Sequence, residues 1–306
     1  MAAHWVDVLD PTPEKLASVL TVDLHPRARD EIDRPADDEP RPLIEGHGEY
    51  VFGVVVTPVA VLAEHRVYLQ ELDFVLTNDR LVTVRKTPPD GEPFDVTPVE
   101  AVCAQRGSVA PGMIVYHLVD EAAEHHLDLL DAIDDKVDEV DDHVEVWPNV
   151  EVQRRITDVR RALIDVRRTL GPTRDAVRGI VDGRTDLEGR PLFKREVFPR
   201  EVELHFGQVY EKLLRANDGV EFARESVTSL RDHHNARIAR EQNDIVKKLT
   251  VIASLLLFPT FIVGVYGQNF IRMPELHWQH GYAFSWALIV ATTAAQVALF
   301  KWRRWI

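Results

Sequence analysis

A single cysteine, Cys103, occurs in 306 residues. That excludes an internal disulfide framework and fits a reducing compartment. The chain also lacks a glycine-rich phosphate loop, a Walker lysine motif, a Gly-x-Ser-x-Gly elbow and a His-Glu-x-x-His pair. Nucleotide hydrolysis, acyl transfer and zinc hydrolysis therefore have no motif to run on. The chain reads as a non-enzyme without a cofactor. Positive charge is in deficit: 36 Lys and Arg stand against 50 Asp and Glu, for a net charge of -14. Such acidity argues against nucleic acid as a partner. It either favours cations or simply keeps the chain soluble. Two adjacent histidine pairs, His125-His126 and His233-His234, offer a metal little, because neighbouring side chains on a helix diverge by about 100°. They read as solvated histidines.

Charge is missing altogether from two apolar spans near the C-terminus, about 249–266 and 282–300. Eighteen helical residues rise roughly 27 Å, close to the hydrocarbon thickness of a bilayer. Both spans lie far from the N-terminus, so neither is a signal peptide. Lys247 and Lys248 precede the first, and Lys301, Arg303 and Arg304 follow the second. The positive-inside rule then predicts a plasma-membrane protein, in contact with lipid, with both termini in the cytoplasm. Trp278, Tyr282, Trp286, Trp302 and Trp305 fall near the predicted interfaces, as aromatic belts do. Pro259 and Gly264 interrupt the first span, which also carries Thr250, Ser254 and Thr260. Those small and polar residues either pack two helices together or line water.

Upstream, 4–9 alternates as a strand, and Thr12-Pro13-Glu14 caps a short helix. The Pro- and Asp-rich stretch 26–42 is expected to be loop. Further strands are expected at 50–57, 67–76 and 81–86, the last two joined as a hairpin at Asn78-Asp79. A long helix is predicted from Pro111 to about Val146, and between Asp120 and Glu145 it holds twelve Asp or Glu and one Lys. The following segment, 150–183, carries Arg pairs at 154/155, 160/161 and 167/168. An acidic helix followed by a basic one predicts an antiparallel hairpin stitched by charge, and the acidic run is a candidate arm for attracting ions. A last helix starts near Phe198-Pro199 and has no clear stop before Pro259. The fold class expected is an α+β cytoplasmic domain with a helical hairpin arm and a long stalk helix, followed by two transmembrane α-helices. The boundaries read as 1–105 mixed α/β domain, 106–198 arm, 199–248 stalk, 249–266 first span, 267–281 extracytoplasmic loop, 282–300 second span and 301–306 basic tail.

Between the spans stands Tyr266-Gly267-Gln268-Asn269-Phe270. Gly267 permits a sharp turn or a close backbone approach where the helix C-terminus aims its carbonyls at the loop. Asn269 adds an amide oxygen and Glu275 a carboxylate. Oxygen dipoles at a membrane entrance suit a hard cation that keeps its waters, as magnesium does. The same residues also read as a plain glycine-capped turn, and one copy would be a weak site where a symmetric ring would be a substantial one.

The runs 243–250 (NDIVKKLT), 258–270 (FPTFIVGVYGQNF), Met273-Pro274-Glu275-Leu276 and Gly281-Tyr282 resemble the CorA-type metal-ion transporter family. Trp5-Val6-Asp7-Val8, Leu24-His25-Pro26, Arg41-Pro42 and the basic tail are similar to weaker family signals. The resemblance implies a homopentamer whose first spans line a pore for magnesium, cobalt or nickel. It places Gly267 and Asn269 in an outer selectivity loop, with Glu275 nearby, and Asn243, Leu249 and Thr260 on the pore face. Steps of three and four along one helix face add Val246, Leu257 and Gly264, and Asp232 lies nearly in phase eleven residues upstream of Asn243. The family signature is Gly-Met-Asn, whereas this chain has Gln268 in the middle. Relatives of the zinc-transporting ZntB type also depart there. A ZntB-type zinc transporter and a non-conducting, membrane-anchored cation sensor are therefore the alternatives.

Overall fold

Strand-forming residues alternate across a pleat, and in the computed structural model they build one mixed five-stranded sheet. Residues 5–36, 38–61, 66–89, 91–107, 109–187, 197–268 and 273–305 are described. The strands are β1 (Trp5–Leu9), β2 (Leu43–Gly46), β3 (Val51–Val61), β4 (Arg66–Leu76) and β5 (Leu81–Lys86), in the spatial order β1-β5-β4-β3-β2. Only β1 and β5 run parallel. Their seam is pinned by side chains. Trp5 Nε1 donates to Thr83 Oγ1 at 3.0 Å, Thr83 donates to Asp7 at 2.7 Å, and Arg85 Nη2 reaches Asp7 Oδ2 at 2.6 Å. The β4–β5 hairpin turns at Asn78-Asp79, as its Asn-Asp pair predicts, closed by the Thr77 N–H donating to the Arg80 carbonyl at 2.8 Å.

Four elements depart from the sequence reading. The stretch expected to be loop from Pro26 contains α2 (Pro26–Ile32), whose first turn is capped by His25 Nδ1 accepting from the Arg27 N–H at 3.3 Å. A helix of seven mostly charged residues shows little apolar periodicity, so only its proline at the first position marks it. The strand β2 is four residues long, below the length at which alternation speaks. Helix α3 (Thr97–Arg106) has no counterpart in the sequence reading either. Strand β3 also runs on to Val61, through Pro58. Because β2 covers only Val51–Val54, β3 is an edge strand at Pro58, where a missing N–H is tolerated.

The sheet buries both faces. Helix α1 (Pro13–Val19), capped by Thr12 as its sequence predicts, joins α2 over Phe52, Val54, Val56, Val75, Val82 and Val84. The opposite face, with Val55, Leu72, Phe74, Leu76 and Leu81, packs in a core shared with α4 (Pro111–His143) and α5 (Asn149–Val181). Those two helices form the predicted hairpin, but charge is not its main adhesive. Ile133, Val137 and Val140 of α4 and Val152, Ile156 and Val159 of α5 are all buried in one apolar seam, and apolar area removed from water contributes about 25 cal/mol per Å2. Arg155 does cross to Glu139 at 2.9 Å while lying 4.0 Å over the Trp147 ring. Arg154, by contrast, pairs within α5, with Glu151 at 2.8 Å and Asp158 at 3.4 Å.

Helix α6 runs unbroken from Arg200 to Tyr266, 67 residues and about 100 Å at 1.5 Å per residue. The carboxylate of Asp186 gathers the chain just before it, accepting the N–H groups of Val197 at 2.9 Å and Phe198 at 3.1 Å. After α6 come a short 3-10 turn, Pro274–His277, and α7 (Gly281–Trp302). The chain divides into two compact units, Met1–Arg231 and Asp232–Ile306. The α+β sheet, the long helix and the two apolar helices expected from sequence are all present. Helices α6 and α7 are long and apolar enough to cross a membrane.

Candidate functional site

In the second unit, most of the apolar span of α6 is exposed, with a narrow packed strip as the exception. Val251 and Ile262 are buried, and between them the Ser254 carbonyl accepts from Gln296 Nε2 of α7 at 3.2 Å. A charge-free span tolerates this one polar contact because a helix carbonyl always keeps a second lone pair. Residues three and four apart share a flank, so this contact defines which side of α6 faces α7. Sequence reasoning misses Val251, Ile262 and Gln296, since nothing in the sequence marks which apolar residues of an all-apolar helix are packed.

The other flank carries the residues drawn from the resemblance and from spacing, and its exposure is shared by Ile252, Leu256, Phe261 and Val263 around the helix. Val246 is 59 % exposed, Leu249 65 % and Leu257 66 %. Asn243, Thr260 and Gly264 are exposed as well, as is Asp232 further upstream on α6. The Thr260 hydroxyl donates to the Leu256 carbonyl at 2.6 Å, which leaves its oxygen lone pairs outward as acceptors. The flank thus alternates apolar side chains with small oxygen-bearing or bare positions, and it holds no charge between Leu249 and Gly264.

At the end of α6 the Gly267 N–H donates to the Val263 carbonyl at 2.9 Å and the Gln268 N–H to Val265 at 3.3 Å. Gly267 does not take the left-handed backbone seen at Gly48, Gly107 and Gly183. Its smallness serves a close approach instead: a Cβ there would stand 3.2 Å from the Val263 oxygen. Gly267 and Gln268 are both exposed, and Asn269 lies outside the described residues. Glu275 sits in the 3-10 turn, half-buried, and among the described residues no hydrogen bond or ion pair joins it to Gly267 or Gln268. Gly281 closes the turn. A Cβ on it would lie 2.1 Å from the Glu275 carbonyl oxygen, so only glycine lets the start of α7 reach that backbone.

Titratable groups of the first unit correct one expectation. His126 is not solvated but fully buried. Its Nδ1 donates to the Ala122 carbonyl at 2.8 Å, its Nε2 lies 3.5 Å from Thr169 Oγ1, and burial pushes its pKa down to about 4. His234, at the start of the second unit, is buried too, and desolvation with Arg237 beside it lowers its pKa. The acidic run of α4 is partly spoken for, since Lys212 stands 2.5 Å from both Asp120 and Glu124. Burial and the neighbouring Asp131, Asp138 and Asp135 push the Asp134 carboxyl up. A buried cluster lies under α2: Lys86 Nζ is 2.9 Å from Glu71 and 3.0 Å from Asp73, and Arg34 is 2.6 Å from Glu71 and 3.2 Å from Glu31. Two cations face three carboxyls. Burial and the charge of Glu71 outweigh Lys86 and raise the Asp73 pKa well above the ordinary range. Among the described residues no group of three His, Cys, Asp or Glu side chains is placed to hold a metal ion.

The family model for CorA-like Mg2+ transporter proteins matches residues 2–304 of the chain. The cobalt/magnesium transport protein CorA of Thermotoga maritima is 28% identical over 270 residues, covering 87% of this chain and 73% of its own length. The protein of the same description from Methanocaldococcus jannaschii is 23% identical over 312 residues, covering 99% and 91%. The solved structure of the complete CorA magnesium transporter from Methanocaldococcus jannaschii superposes with a TM-score of 0.79 at 20% sequence identity, covering 99% of this chain and 91% of that one.

Proposed function

The chain belongs to the CorA-like Mg2+ transporter family, and from that premise we propose that it works as a homopentameric channel for magnesium, which also admits cobalt or nickel. The observation that carries this reading is the free flank of α6. By helical spacing Leu249, Leu257, Thr260 and Gly264 share one side of a charge-free span, with Val246 in phase just before it, away from the buried Val251 and Ile262. A lone helix in lipid gains nothing from sorting Thr260 and Gly264 onto that flank. A ring of five such flanks makes a lined conduit.

The ion path follows from the side chains. A hydrated cation meets the ring of Gly267, Gln268 and Asn269, whose carbonyl and amide oxygens hold its water shell, with Glu275 drawing cations to the mouth. It then passes Gly264 and the Thr260 oxygens. Leu257, Leu249 and Val246 form apolar constrictions that gate by drying, and Asn243 and Asp232 rehydrate the ion beyond them. Lys247, Lys248, Lys301, Arg303 and Arg304 hold both termini on the cytoplasmic side of the plasma membrane. The inside-negative potential drives entry, worth about 4.6 kcal/mol per 100 mV for a divalent ion. The domain boundaries 1–105, 106–198, 199–248, 249–266, 267–281, 282–300 and 301–306 are the working divisions of this machine.

The test is ion flux into liposomes bearing the full chain, with magnesium, cobalt, nickel and zinc, alongside the mass of the solubilised complex. Potential-driven magnesium entry through a particle of five chains is expected. Zinc flux without magnesium flux would replace this reading with a ZntB-type zinc transporter. No flux of any ion, together with a cation-dependent change in the first unit, would make the protein a non-conducting sensor.

A further inference from the structure

A cavity of about 330 Å3 opens beside the sheet, where β3 and β4 meet α4. Its walls are apolar: Pro58 and Val59 from β3, Leu129 and Ala132 from α4. Gln70, 6 % exposed, is the buried polar residue of its lining, while Asp95 and Asp128 are exposed and form its rim. Gln70 Nε2 donates to the Glu92 carbonyl at 3.0 Å and the Pro93 carbonyl at 3.2 Å, so the amide orientation is fixed. Its Oε1 is buried and has no hydrogen-bond partner among the described residues. His125, which also lines the cavity, has a buried Nδ1 in the same condition. In the tautomer with its proton on Nε2, which lies 3.9 Å from Glu121, Nδ1 is an acceptor. Two buried acceptors without donors each represent a desolvation cost of about 1–3 kcal/mol unless something donates to them.

The occupant must therefore carry donors, bear positive charge towards Asp95 and Asp128, and present an apolar body to the four wall residues. A metal ion meets only the second condition, and no group of three metal-ligating side chains is placed here among the described residues. Water supplies donors, but neither the charge nor the apolar body. An aliphatic diamine meets all three. We propose that this cavity binds a small aliphatic diamine or the end of a polyamine. One amino end donates to Gln70 Oε1 and His125 Nδ1, the methylenes lie against Pro58, Val59, Leu129 and Ala132, and the second ammonium sits between the rim carboxylates. The Asp95 carboxylate already accepts the Thr97 N–H at 2.9 Å, so it faces the ligand with its remaining lone pairs. Asp128 has no ion pair among the described residues and supplies the less committed charge.

The experiment is calorimetric titration of the detergent-solubilised full chain with putrescine, butylamine, 1,4-butanediol and magnesium. Putrescine is expected to bind one per chain, butylamine about tenfold more weakly for want of the second charge, and the diol not at all. Asp128→Asn should weaken putrescine about five- to tenfold, and Ala132→Phe, which fills the cavity, should abolish binding. Gln70→Leu disturbs the segment its amide holds, so the Asp128 and Ala132 variants decide the outcome, with unchanged circular dichroism showing them folded. No binding of putrescine at millimolar concentration overturns the proposal, as does equal binding of putrescine and butylamine. Magnesium displacing putrescine, with its own affinity lost in Asp128→Asn, makes the cleft a hydrated-divalent site and also overturns it.

Discussion

His126 makes the protein acid-sensitive by a calculable amount. An unfolded histidine titrates near 6.5, and in the folded chain burial brings this one to about 4. The folded pKa lies below the unfolded one, so on acidification the unfolded chain takes up a proton first. The histidine's contribution is fully present above about pH 6.5 and drains away as the pH falls through about 4. The gap corresponds to roughly 3 kcal/mol in full, of which about 2 kcal/mol is lost between pH 7 and pH 5. Urea unfolding of the solubilised full chain, followed by tryptophan fluorescence at those two pH values, measures the loss. His126→Leu removes the titration while filling the same space. It costs stability at pH 7, because the bond to the Ala122 carbonyl goes, but its acid loss is smaller than that of the wild type by about 2 kcal/mol. Taking the difference between the two chains cancels the other titrating groups. An acid loss unchanged in His126→Leu, or an imidazole resonance titrating near 6.5 in the folded protein, would refute the argument.

Other perturbations have signs fixed by the same structure. Asp73→Asn removes a carboxyl whose folded pKa is raised. The protonated form's stabilisation is present below the unfolded value and lost as pH rises from there through the folded one, so the variant should lose less stability than the wild type as pH is raised from about 4 in denaturant titrations. Gly281→Ala pushes a methyl against the Glu275 backbone and should cost about 1–3 kcal/mol, seen as a lower melting temperature together with reduced flux. Leu249→Asn wets a constriction and should raise magnesium flux in liposomes; an unchanged rate would remove Leu249 from the ion path. Gln268→Met restores the family's commoner residue at the mouth and should raise the ratio of magnesium to zinc flux, whereas an identical ratio would show that side chain to be indifferent to ion choice.

The two spans, the β4–β5 hairpin, the Thr12 cap and the length of α6 are legible in the sequence because each rests on a local rule: charge-free length, alternation around Asn-Asp, a hydroxyl before proline, an absence of stops. The residues that escape it are those whose state is set by distant neighbours. Pro26–Ile32 resembles loop because seven residues rich in charge cannot display a period. His126 reads as solvated because adjacency on a helix says nothing of which neighbour points inward, and Thr169, 43 residues away, decides it. The alternation of acidic and basic helices predicts the α4–α5 hairpin but overstates its charge, since Arg154 finds closer acids on its own helix. On α6 the packed strip at Val251 and Ile262 needs α7, which no spacing in the chain marks.

The contact between Gln296 and the Ser254 carbonyl gives a uniform apolar rod an index mark. It joins the packing of Val251 and Ile262 in fixing the azimuth of α6, where a slip of one residue would swing the helix by about 100°. Leu249 and Leu257 would then leave their flank, and bulky neighbours would take their place. A single amide on the second span thus adds direction to the clocking of the first. The Gln296 Oε1 atom, buried and unpartnered among the described residues, is the cost of that mark. A chain carrying Gln296→Leu would keep both helices and lose the reference by which they are aligned.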